Sequence, residues 1–564
     1  MDAEPSQAPT AARAWWRRVA WAAFLLGALL RIHPLWHPYL QPELEVPTGT
    51  AIAEIVRHDW RPLSLFHGTA FIYTLRVAYT AVYAVGYLSG RFKDRLDLLA
   101  AFVRDPFPFF VVGRLIVLAA SLLALVLAGR AAGVVAGPPG AACAILLLAV
   151  SFIHVRESHY VWYDVPAGTA VTLATLLGMR AVRSGRRRDL VATAVCGGVA
   201  LATKHSVFPV LVPVAVAAAL AGEAGVVGCL RRLAGAAAVA VVAYAIVCPY
   251  SFLDFRGFLT AAWFTAGATQ GLVGSFALPF RTLWWIVIGP AATGLALVGI
   301  AAALRARPRE ALVLVAFPLA YAAVLAGQGR LHARYLAPAA PLVAALAGIG
   351  TAAIGRLASP RHAAVATTLV LAAATAIPAV RAAEYVRLLG RDDTRALAGE
   401  WIRTHVPPGT RITLPSANGH PNPLLPLDET TVRIAWRPWA DELLARGAVD
   451  RAATYPRRYL GGVFGGFGPD WQPRDRYVVM THHPVVVRSG EPPAVYRERL
   501  EAAGGRIVAD FRGFEEPLDG VVYDPIDANY VPLVGFDRIV RPGPNLTVWE
   551  LPAPDAAPPP APAR

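Results

Sequence analysis

Residues 113–130 read GRLIVLAASLLALVLAGR, an apolar run that begins after Arg114 and ends at Arg130. A run of this kind is typical of a helix that crosses a bilayer, which requires ~20 mostly apolar residues. The whole chain of 564 residues is 56% hydrophobic and only 16% charged, with a mean hydropathy of +0.46. Because a soluble protein of this size does not need so much apolar side chain, we predict an all-α polytopic membrane protein.

Further apolar windows lie on both sides of this run, and several are shorter than the ~20 residues that a perpendicular helix needs. The windows lie near residues 15–33, 67–88, 109–129, 139–155, 165–182, 190–204, 206–222, 233–249, 283–304, 311–327, 335–355 and 362–380. We predict that they form a transmembrane module over residues 15–380, preceded by a disordered N-terminus at 1–14.

Basic residues decide the predicted topology. The net charge of +15 comes from short basic clusters between the apolar windows. This pattern is typical of cytoplasmic loops under the positive-inside rule and does not indicate nucleic-acid binding. The clusters are Arg17 with Arg18, Arg130, residues 183–188, Arg231 with Arg232, residues 305–309, and Arg356 with Arg361. All of them face the cytoplasm if every window except 67–88 spans. This predicts eleven transmembrane helices in the plasma or inner membrane, with a cytoplasmic N-terminus and an extracytoplasmic C-terminal part.

Two windows need a separate interpretation. The window at 67–88 is predicted to lie along the outer membrane surface, within an outer loop over residues 34–108. Arg76 and a row of tyrosines suit such an interfacial position, namely Tyr73, Tyr79, Tyr83 and Tyr87. The first window follows two arginines and has no small-residue cleavage site, so we predict a retained span and not a removed signal peptide.

From about residue 381 the pattern changes, because Pro, Gly, Asp and Arg become frequent and apolar runs shorten to strand length. The strand-like runs TRITLP, YVVMTH, RIVADF and LTVWEL alternate with the helix-like runs DTRALAGEWIRTHV and PAVYRERLEAAG. We therefore predict a soluble α/β domain at 381–552, followed by a disordered Pro/Ala-rich tail at 553–564.

The cysteines and histidines predict no metal site. Cys143, Cys196, Cys229 and Cys248 all fall in or beside apolar windows, which supports neither a disulfide framework nor a zinc site. His154 and His159 are five positions apart, which does not match the i,i+4 spacing of a helical metal pair. The THHP run at 481–484 is interpreted as an ordinary surface pair.

The predicted topology places four polar segments at the outer face, and the acids among them have two interpretations each. Glu43 and Glu45 are either solvated loop acids or a carboxylate base at the membrane edge. Asp164, in the stretch HVRESHYVWYDVP at 154–166, either caps the helix that follows or belongs to a site. Arg156 and Glu157 in the same stretch are expected to pair if they have no other role.

The basic residues of the outer face allow the same two interpretations. Lys204 either extends towards lipid headgroups or presents a point charge to a lipid phosphate. Arg330 and Arg334, followed by Tyr335, are similar in character. Because basic residues at the outer face run against the positive-inside bias, their position favours a functional role.

The order of these segments resembles the C-type (GT-C) membrane glycosyltransferases, specifically the branch with protein O-mannosyltransferases and the lipid A aminoarabinose transferase. The resemblance covers nearly all of residues 15–415. The segments that carry it, in chain order after the acidic first loop, are HDWRPLSLFHGTAF, GRLIVLAASLLALVLAGR, SHYVWYDVPAGTAVTLATL, GGVALATKH, RYLAPAAPLVAALAG and DTRALAGEWIRTHVPPGTRI.

The resemblance implies roles for individual residues. The family's Pro-Asp-Glu signature in the first loop corresponds to Pro42-Glu43-Leu44, so that Glu43 takes the place of the proposed base and Glu45 is a supporting acid or an alternative base. Asp164 matches the family's second acidic position. Lys204, Arg334 and Tyr335 match its donor-phosphate positions, while Arg156 and His159 are expected to line the site.

The resemblance also implies an activity: inverting transfer of a hexosyl or pentosyl group from a polyprenyl-phosphate-linked donor to an extracytoplasmic lipid, glycan or protein of the cell envelope. It assigns no cofactor with certainty and leaves a divalent cation open. Two alternatives remain at this point. One is a transporter or lipid-linked sugar flippase without transferase activity, and the other is a structural membrane protein whose soluble domain binds a partner.

Overall fold

The computed structural model describes residues 10–37, 46–222, 225–270, 278–328, 330–414, 422–450, 453–459, 472–483, 493–524 and 531–552. The chain divides into two compact units. Unit 1 consists of Met1–Leu35, Arg57–Tyr79 and Val111–Val386, and unit 2 of Trp36–Val56, Thr80–Phe110 and Arg387–Arg564.

Unit 1 is almost entirely helical. The helices that lie wholly or mainly in it are α1 Thr10–Ile32, α3 Ala70–Leu88, α5 Phe107–Ala149, α6 Phe152–Glu157, α7 Asp164–Ser184, α8 Arg187–Thr203, α9 Leu211–Leu220, α10 Val226–Val247, α11 Tyr250–Leu253, α12 Phe255–Gln270, α13 Phe280–Val287, α14 Pro290–Ala306, α15 Pro308–Gly327, α16 Ala340–Gly355 and α17 Ala363–Leu389. Two 3-10 turns, His205–Val210 and Ala333–Ala339, precede α9 and α16, and the short strands β1 Leu278–Pro279 and β2 Arg330–Leu331 pair antiparallel.

The apolar windows all coincide with helices, which confirms the prediction of an all-α membrane module. Among the described residues, six helical stretches are long and apolar enough to cross a membrane, or seven if the bent pair α13–α14 counts as one span. The remaining windows fall on helices that are too short, too charged or not apolar enough to count as spans, such as α8 with 17 residues. The predicted count of eleven therefore stays a prediction.

α5 contains two predicted windows in one helical run. Gly137 interrupts it with a φ of 70°, and Pro138 and Pro139 follow. Glycine adopts this left-handed conformation without the steric cost that a side chain brings, and the prolines remove backbone donors. α5 is thus two helices joined by a sharp kink, as the separate windows 109–129 and 139–155 predict.

α3 is the helix predicted to lie along the membrane surface, and it is not among the six stretches found in the described residues. Its Arg76 is buried, donates a hydrogen bond to the Asp59 carbonyl, and places its guanidinium carbon 3.8 Å from the centre of the Trp60 ring. The Tyr79 side chain is fully buried as well. Both side chains therefore pack against protein, whereas the interfacial interpretation assumed lipid headgroups around them.

Unit 2 is built on a five-stranded mixed sheet. Its elements are α2 Val46–Arg57, α4 Arg95–Arg104, α18 Thr394–His405, β3 Ile412–Leu414, α19 Glu429–Ala435, α20 Ala440–Ala445, β4 Arg457–Tyr459, β5 Tyr477–His482, α21 Pro493–Ala502, β6 Arg506–Phe511 and β7 Asn545–Glu550. The strand order is β4-β3-β5-β7-β6, with β3 parallel to β4 and β5, and β7 antiparallel to β5 and β6. This confirms the predicted α/β fold and each of the four predicted strands.

The core of unit 2 lies between the sheet and α18. Ile402 on α18 packs with Ile412, Val479 and Val548 from three neighbouring strands, and all four side chains are fully buried. At ~25 cal/mol per Å² of apolar surface, burial of this kind is the main favourable term for the sheet.

Residues 94–104 are joined to α20 by an ion pair. Asp94 caps α4 by accepting hydrogen bonds from the backbone of Leu96 and Asp97. The Arg446 guanidinium contacts both oxygens of Asp94 at 2.7 Å and one oxygen of Asp97 at 2.7 Å. One cation therefore ties the first turn of α4 to the end of α20.

We expect Arg446→Gln to lower the free energy of unfolding by ~1 kcal/mol or less at pH 7, because partly exposed pairs contribute little. The hydrogen bond from Arg446 lowers the pKa of Asp94 in the folded protein. The contribution is therefore complete above the unfolded pKa of ~3.9 and disappears as the pH falls through the lower folded pKa.

Chemical unfolding of the wild type and the variant at pH 7 and at progressively lower pH measures this effect. Arg433→Gln is the control, since Arg433 pairs with the largely exposed Asp441 at 2.7 Å. An equal loss in both variants, or a difference that grows towards acid pH, contradicts the assignment.

Candidate active site

The site lies in unit 1, where four connecting segments meet at helix ends. Gly68 allows the loop before α3 to touch the end of α8, because a Cβ there would lie 1.9 Å from the Ala202 carbonyl oxygen. Gly168 does the same for α7 and the 3-10 turn at Ala333–Ala339, since its Cβ would lie 2.8 Å from Pro338 Cα. Any larger residue at either position would force the segments apart.

Asp164 and Lys204 form a buried ion pair at the centre of these segments. Lys204 Nζ donates to Asp164 Oδ1 at 2.5 Å, and the two side chains are 3% and 0% exposed. Asp164 is the first residue of α7, and its carboxylate contacts the lysine and makes no capping hydrogen bond. Asp164 therefore acts as the partner of Lys204 and does not cap α7.

The second oxygen of Asp164 is also buried. Within the part of the chain that the structure describes, Asp164 Oδ2 has no hydrogen-bond partner. A buried oxygen without a partner costs about 1–3 kcal/mol, so such atoms mark positions that a ligand or water satisfies. Asp164 Oδ2 is thus available to accept a hydrogen bond from a bound hydroxyl or amine.

Arg334 and Tyr335, which the resemblance matches to donor-phosphate positions, lie beside the pair. Lys204 Nζ is 4.8 Å from the centre of the Tyr335 ring. The Arg334 guanidinium carbon is 5.0 Å from the Trp162 ring centre and 5.9 Å from that of Tyr335. These cation–π contacts hold the Arg334 guanidinium between two aromatic rings and the Lys204 ammonium against one.

His67 completes the aromatic side of the site. Its ring lies 4.5 Å from Tyr163 and 5.6 Å from Trp162, measured between centroids. Burial, and then the positive charges of Lys204 and Arg334, lower the pKa of His67 to about 3. The imidazole is therefore neutral at physiological pH and can donate or accept a hydrogen bond without adding charge.

Arg156 and Glu157 form a second buried ion pair at 3.2 Å, with side chains 0% and 1% exposed. Both the Asp164 and Glu157 carboxylates stabilise the ammonium group of Lys204. The group thus contains three cations, Arg156, Lys204 and Arg334, and two carboxylates. A net positive charge in a dry site favours an anionic ligand.

His159, the other residue expected to line the site, faces the backbone. Its Nδ1 lies 2.8 Å from the Val155 carbonyl and its Nε2 3.1 Å from the His33 carbonyl. Burial lowers its pKa to about 4, so the ring is neutral and positions the backbone around it.

The start of the 154–166 stretch is fixed by a buried arginine of α1. Arg31 donates to Ser121 Oγ at 2.7 Å and to the Leu148 and Ala149 carbonyls at 3.0 and 2.9 Å. Ser121 Oγ in turn lies 2.8 Å from Ser158 Oγ. This network holds α1, α5 and the stretch together, which explains why an arginine occurs in an apolar window.

The turn after Lys204 is held by a second polar network. The Tyr244 hydroxyl lies 3.1 Å from His205 Nε2 and 2.7 Å from Ser251 Oγ. Because His205 directly follows Lys204, these contacts hold the backbone from which the Lys204 side chain extends into the site.

Several site residues had no functional prediction from sequence. The sequence around Trp162 contains other aromatic residues and does not distinguish it. For His67, the one indication is the run SLFHGTAF, where the histidine precedes Gly68, the glycine of the close approach. Glu157 was expected only as a partner of Arg156. Glu43 and Glu45 lie outside the described residues, so the structure does not place them relative to Asp164. Among the residues it does describe, no group of three or more potential ligands could hold a metal ion.

Comparison with known families supports the sequence resemblance. Residues 108–253 match the sequence model of the family described as dolichyl-phosphate-mannose-protein mannosyltransferase. This match lies within the membrane module and covers part of it. The matched segment of this family contains Arg156, Asp164 and Lys204, whereas Glu43 and Arg334 lie outside it.

Solved structures of glycosyltransferases are similar to the chain at low identity. ArnT from Cupriavidus metallidurans, bound to undecaprenyl phosphate, matches with a TM-score of 0.48 and 16% identity over 96% of this chain and 98% of its own. The oligosaccharyltransferase AglB from Archaeoglobus fulgidus, in complex with an inhibitory peptide and a dolichol-phosphate, matches with a TM-score of 0.46 and 13% identity over 78% and 64%. No curated protein sequence matches the chain.

Proposed function

We propose that the protein is an inverting membrane glycosyltransferase that moves a hexosyl or pentosyl group from a polyprenyl-phosphate-linked donor to an extracytoplasmic lipid, glycan or protein. The observation that carries the proposal is the buried Asp164–Lys204 pair, flanked by Arg334 and Tyr335, within a group of net positive charge. The family match to enzymes named for a lipid-phosphate sugar donor supports it.

The donor phosphate would bind to Lys204 and Arg334. The aromatic contacts of both side chains fix their positions before the ligand arrives, so little reorganisation is needed when charge develops. The two cations would stabilise the negative charge of the phosphodiester and the further charge that develops on the leaving phosphate. A lipid-linked donor also explains why the site lies at helix ends, where a headgroup and its chain can enter from the bilayer.

The transfer step is a single displacement at the anomeric carbon. The acceptor oxygen or nitrogen forms a bond to that carbon while the bond from the carbon to the phosphate oxygen breaks, and the electron pair leaves with the phosphate. Glu43, or Glu45 in its place, accepts the acceptor's proton. Attack opposite to the leaving phosphate inverts the configuration.

Asp164 would orient the acceptor by accepting a hydrogen bond at Oδ2, while Oδ1 stays on Lys204. Arg156 and Glu157 supply the second charged pair, and His159 keeps the neighbouring backbone in place. With the N-terminus in the cytoplasm, the site and the C-terminal domain face the outside of the plasma or inner membrane.

The proposal is tested with membranes from cells that express the protein, supplied with a panel of labelled polyprenyl-phosphate sugars. We expect release of the polyprenyl phosphate together with labelled product. Arg334→Gln should lower the rate about 10²-fold, because one preorganised cation at the leaving group is lost.

Arg61→Gln is the matched control, because Arg61 is an exposed arginine of the same unit that pairs with Asp254 at 2.7 Å. Its rate should match the wild type. Movement of intact donor across the bilayer without release of the lipid phosphate, unaffected by Arg334→Gln, would overturn the proposal in favour of a flippase.

A further inference from the structure

The basic end of unit 1 contains two cavities that the proposed transfer does not use. The first, of about 790 Å³, lies between α5 and α7 and is lined by leucines together with Arg130, Arg180 and Arg183. The second, of about 660 Å³, lies between α1 and α5 and is lined by apolar side chains together with Arg17 and Arg130. Both volumes are within the range of pockets that hold drug-sized ligands.

Arg130 lies at the boundary of the two cavities, because it lines both. Among the described residues it forms no ion pair, and its side chain is exposed. Of the other arginines that line the first cavity, Arg180 pairs with Asp189 at 3.3 Å and Arg183 with Glu310 at 3.7 Å. Arg17 is exposed and lines the second cavity alone. Arg130 is thus the cation best placed to bind an added anion.

The local charge is strongly positive even with these pairs. Glu310 also contacts Arg307 at 3.6 Å, and Asp189 lies within electrostatic range of Arg186 and Arg188. The acids are therefore shared between several arginines. A basic, partly apolar pocket between transmembrane helices is the kind of surface that binds anionic lipid headgroups.

These cavities are separate from the candidate active site. Asp164 begins α7 and Arg180 lies near its end, which at ~1.5 Å per residue places them ~24 Å apart along the helix. In the predicted topology, the arginines belong to the cytoplasmic leaflet and Asp164 to the opposite one. A ligand at Arg130 would therefore be different from the sugar donor.

We propose that the two cavities bind one anionic glycerophospholipid, with its phosphate on Arg130 and one acyl chain in each cavity. A two-chain lipid fits because the apolar walls lie on both sides of Arg130, with Trp21 and Phe24 on one side and Leu173 and Leu177 on the other. Arg180 and Arg183 favour a negative over a zwitterionic headgroup. The lipid would fill the space between α1, α5 and α7 and stabilise the module.

The experiment uses the purified full-length protein in detergent, with phosphatidylglycerol and phosphatidylcholine of the same acyl chains as probes. Native mass spectrometry reports bound lipid, and thermal unfolding reports stabilisation. We expect phosphatidylglycerol to bind and raise the Tm, and phosphatidylcholine to do neither. Arg130→Gln should weaken binding about fivefold, the effect of one arginine near a headgroup.

Arg309→Gln is the matched control, because Arg309 is an exposed arginine of the same basic end that lines neither cavity. Equal binding of the two lipids, equal weakening by Arg309→Gln, or equal stabilisation by glycerol phosphate alone would each overturn the proposal. Binding is measured without sugar donor, so a failure here is distinct from a failure of the proposed transfer.

Discussion

Glu43→Gln is expected to lower sugar transfer by ~10²–10⁴-fold, because the amide cannot accept the proton that the acceptor loses. The change is nearly isosteric and alters one charge in the first outer loop, so protein level and membrane insertion should not change. The measurement is labelled product formed in membranes containing equal amounts of wild type and variant. This assay tests the base assignment that the family resemblance implies.

Glu45→Gln is the matched control for this prediction, since it makes the same change two residues further along the same loop. A loss confined to Glu43→Gln assigns the base to Glu43, and a loss confined to Glu45→Gln assigns it to Glu45. Full activity in both variants shows that the base lies elsewhere. Labelling of a single cysteine at position 43 adds a second test, because it must react from the outer side.

Lys204→Met is expected to have two effects, one on stability and one on transfer. It leaves Asp164 buried without its partner at 2.5 Å, and removal of one member of a buried pair costs about 3–5 kcal/mol. It also removes a cation beside the leaving phosphate, which should lower the rate by ~10²–10³-fold. Size-exclusion chromatography and thermal unfolding measure the first effect, and the transfer assay measures the second.

The double variant Asp164→Asn with Lys204→Met separates the two effects. It removes both charges, so most of the stability should return, whereas transfer should remain low because the cation is still absent. Recovery of both stability and transfer would show that the pair is only structural. Lys204→Arg keeps the charge but changes its geometry, and we expect it to retain more transfer than Lys204→Met.

The helices and strands could be predicted because they depend on local patterns. Apolar windows such as 165–182 and strand-like runs such as YVVMTH can be recognised from the length and periodicity of the run itself. Both appear where expected, as α7 and β5. The very short β4 at Arg457–Tyr459 was missed because three residues carry no period. Likewise, no local pattern shows that Asp94 and Arg446, far apart in the chain, belong to one unit.

The candidate site was predictable in composition but not in its contacts. Sequence order placed Asp164 and Lys204 at the ends of successive helices, yet their direct pairing depends on how α7 packs on α8. The resemblance supplied Arg334 and Tyr335. Trp162 and His67 come close to them because Gly68 and Gly168 allow the connecting segments to pack tightly. Aromatic side chains are common in any apolar chain, so their role was visible only in three dimensions.

The charge balance at Asp164 and Lys204 has a consequence for turnover. Under the proposed reaction the donor is a diester with one negative charge, but the polyprenyl phosphate that remains is a monoester with ~1.5–2 negative charges near pH 7. Lys204 and Arg334 would hold this more highly charged product more tightly than the substrate. Departure of the spent carrier lipid would then limit the catalytic cycle, and the enzyme would be inhibited by its own by-product until that lipid is recycled.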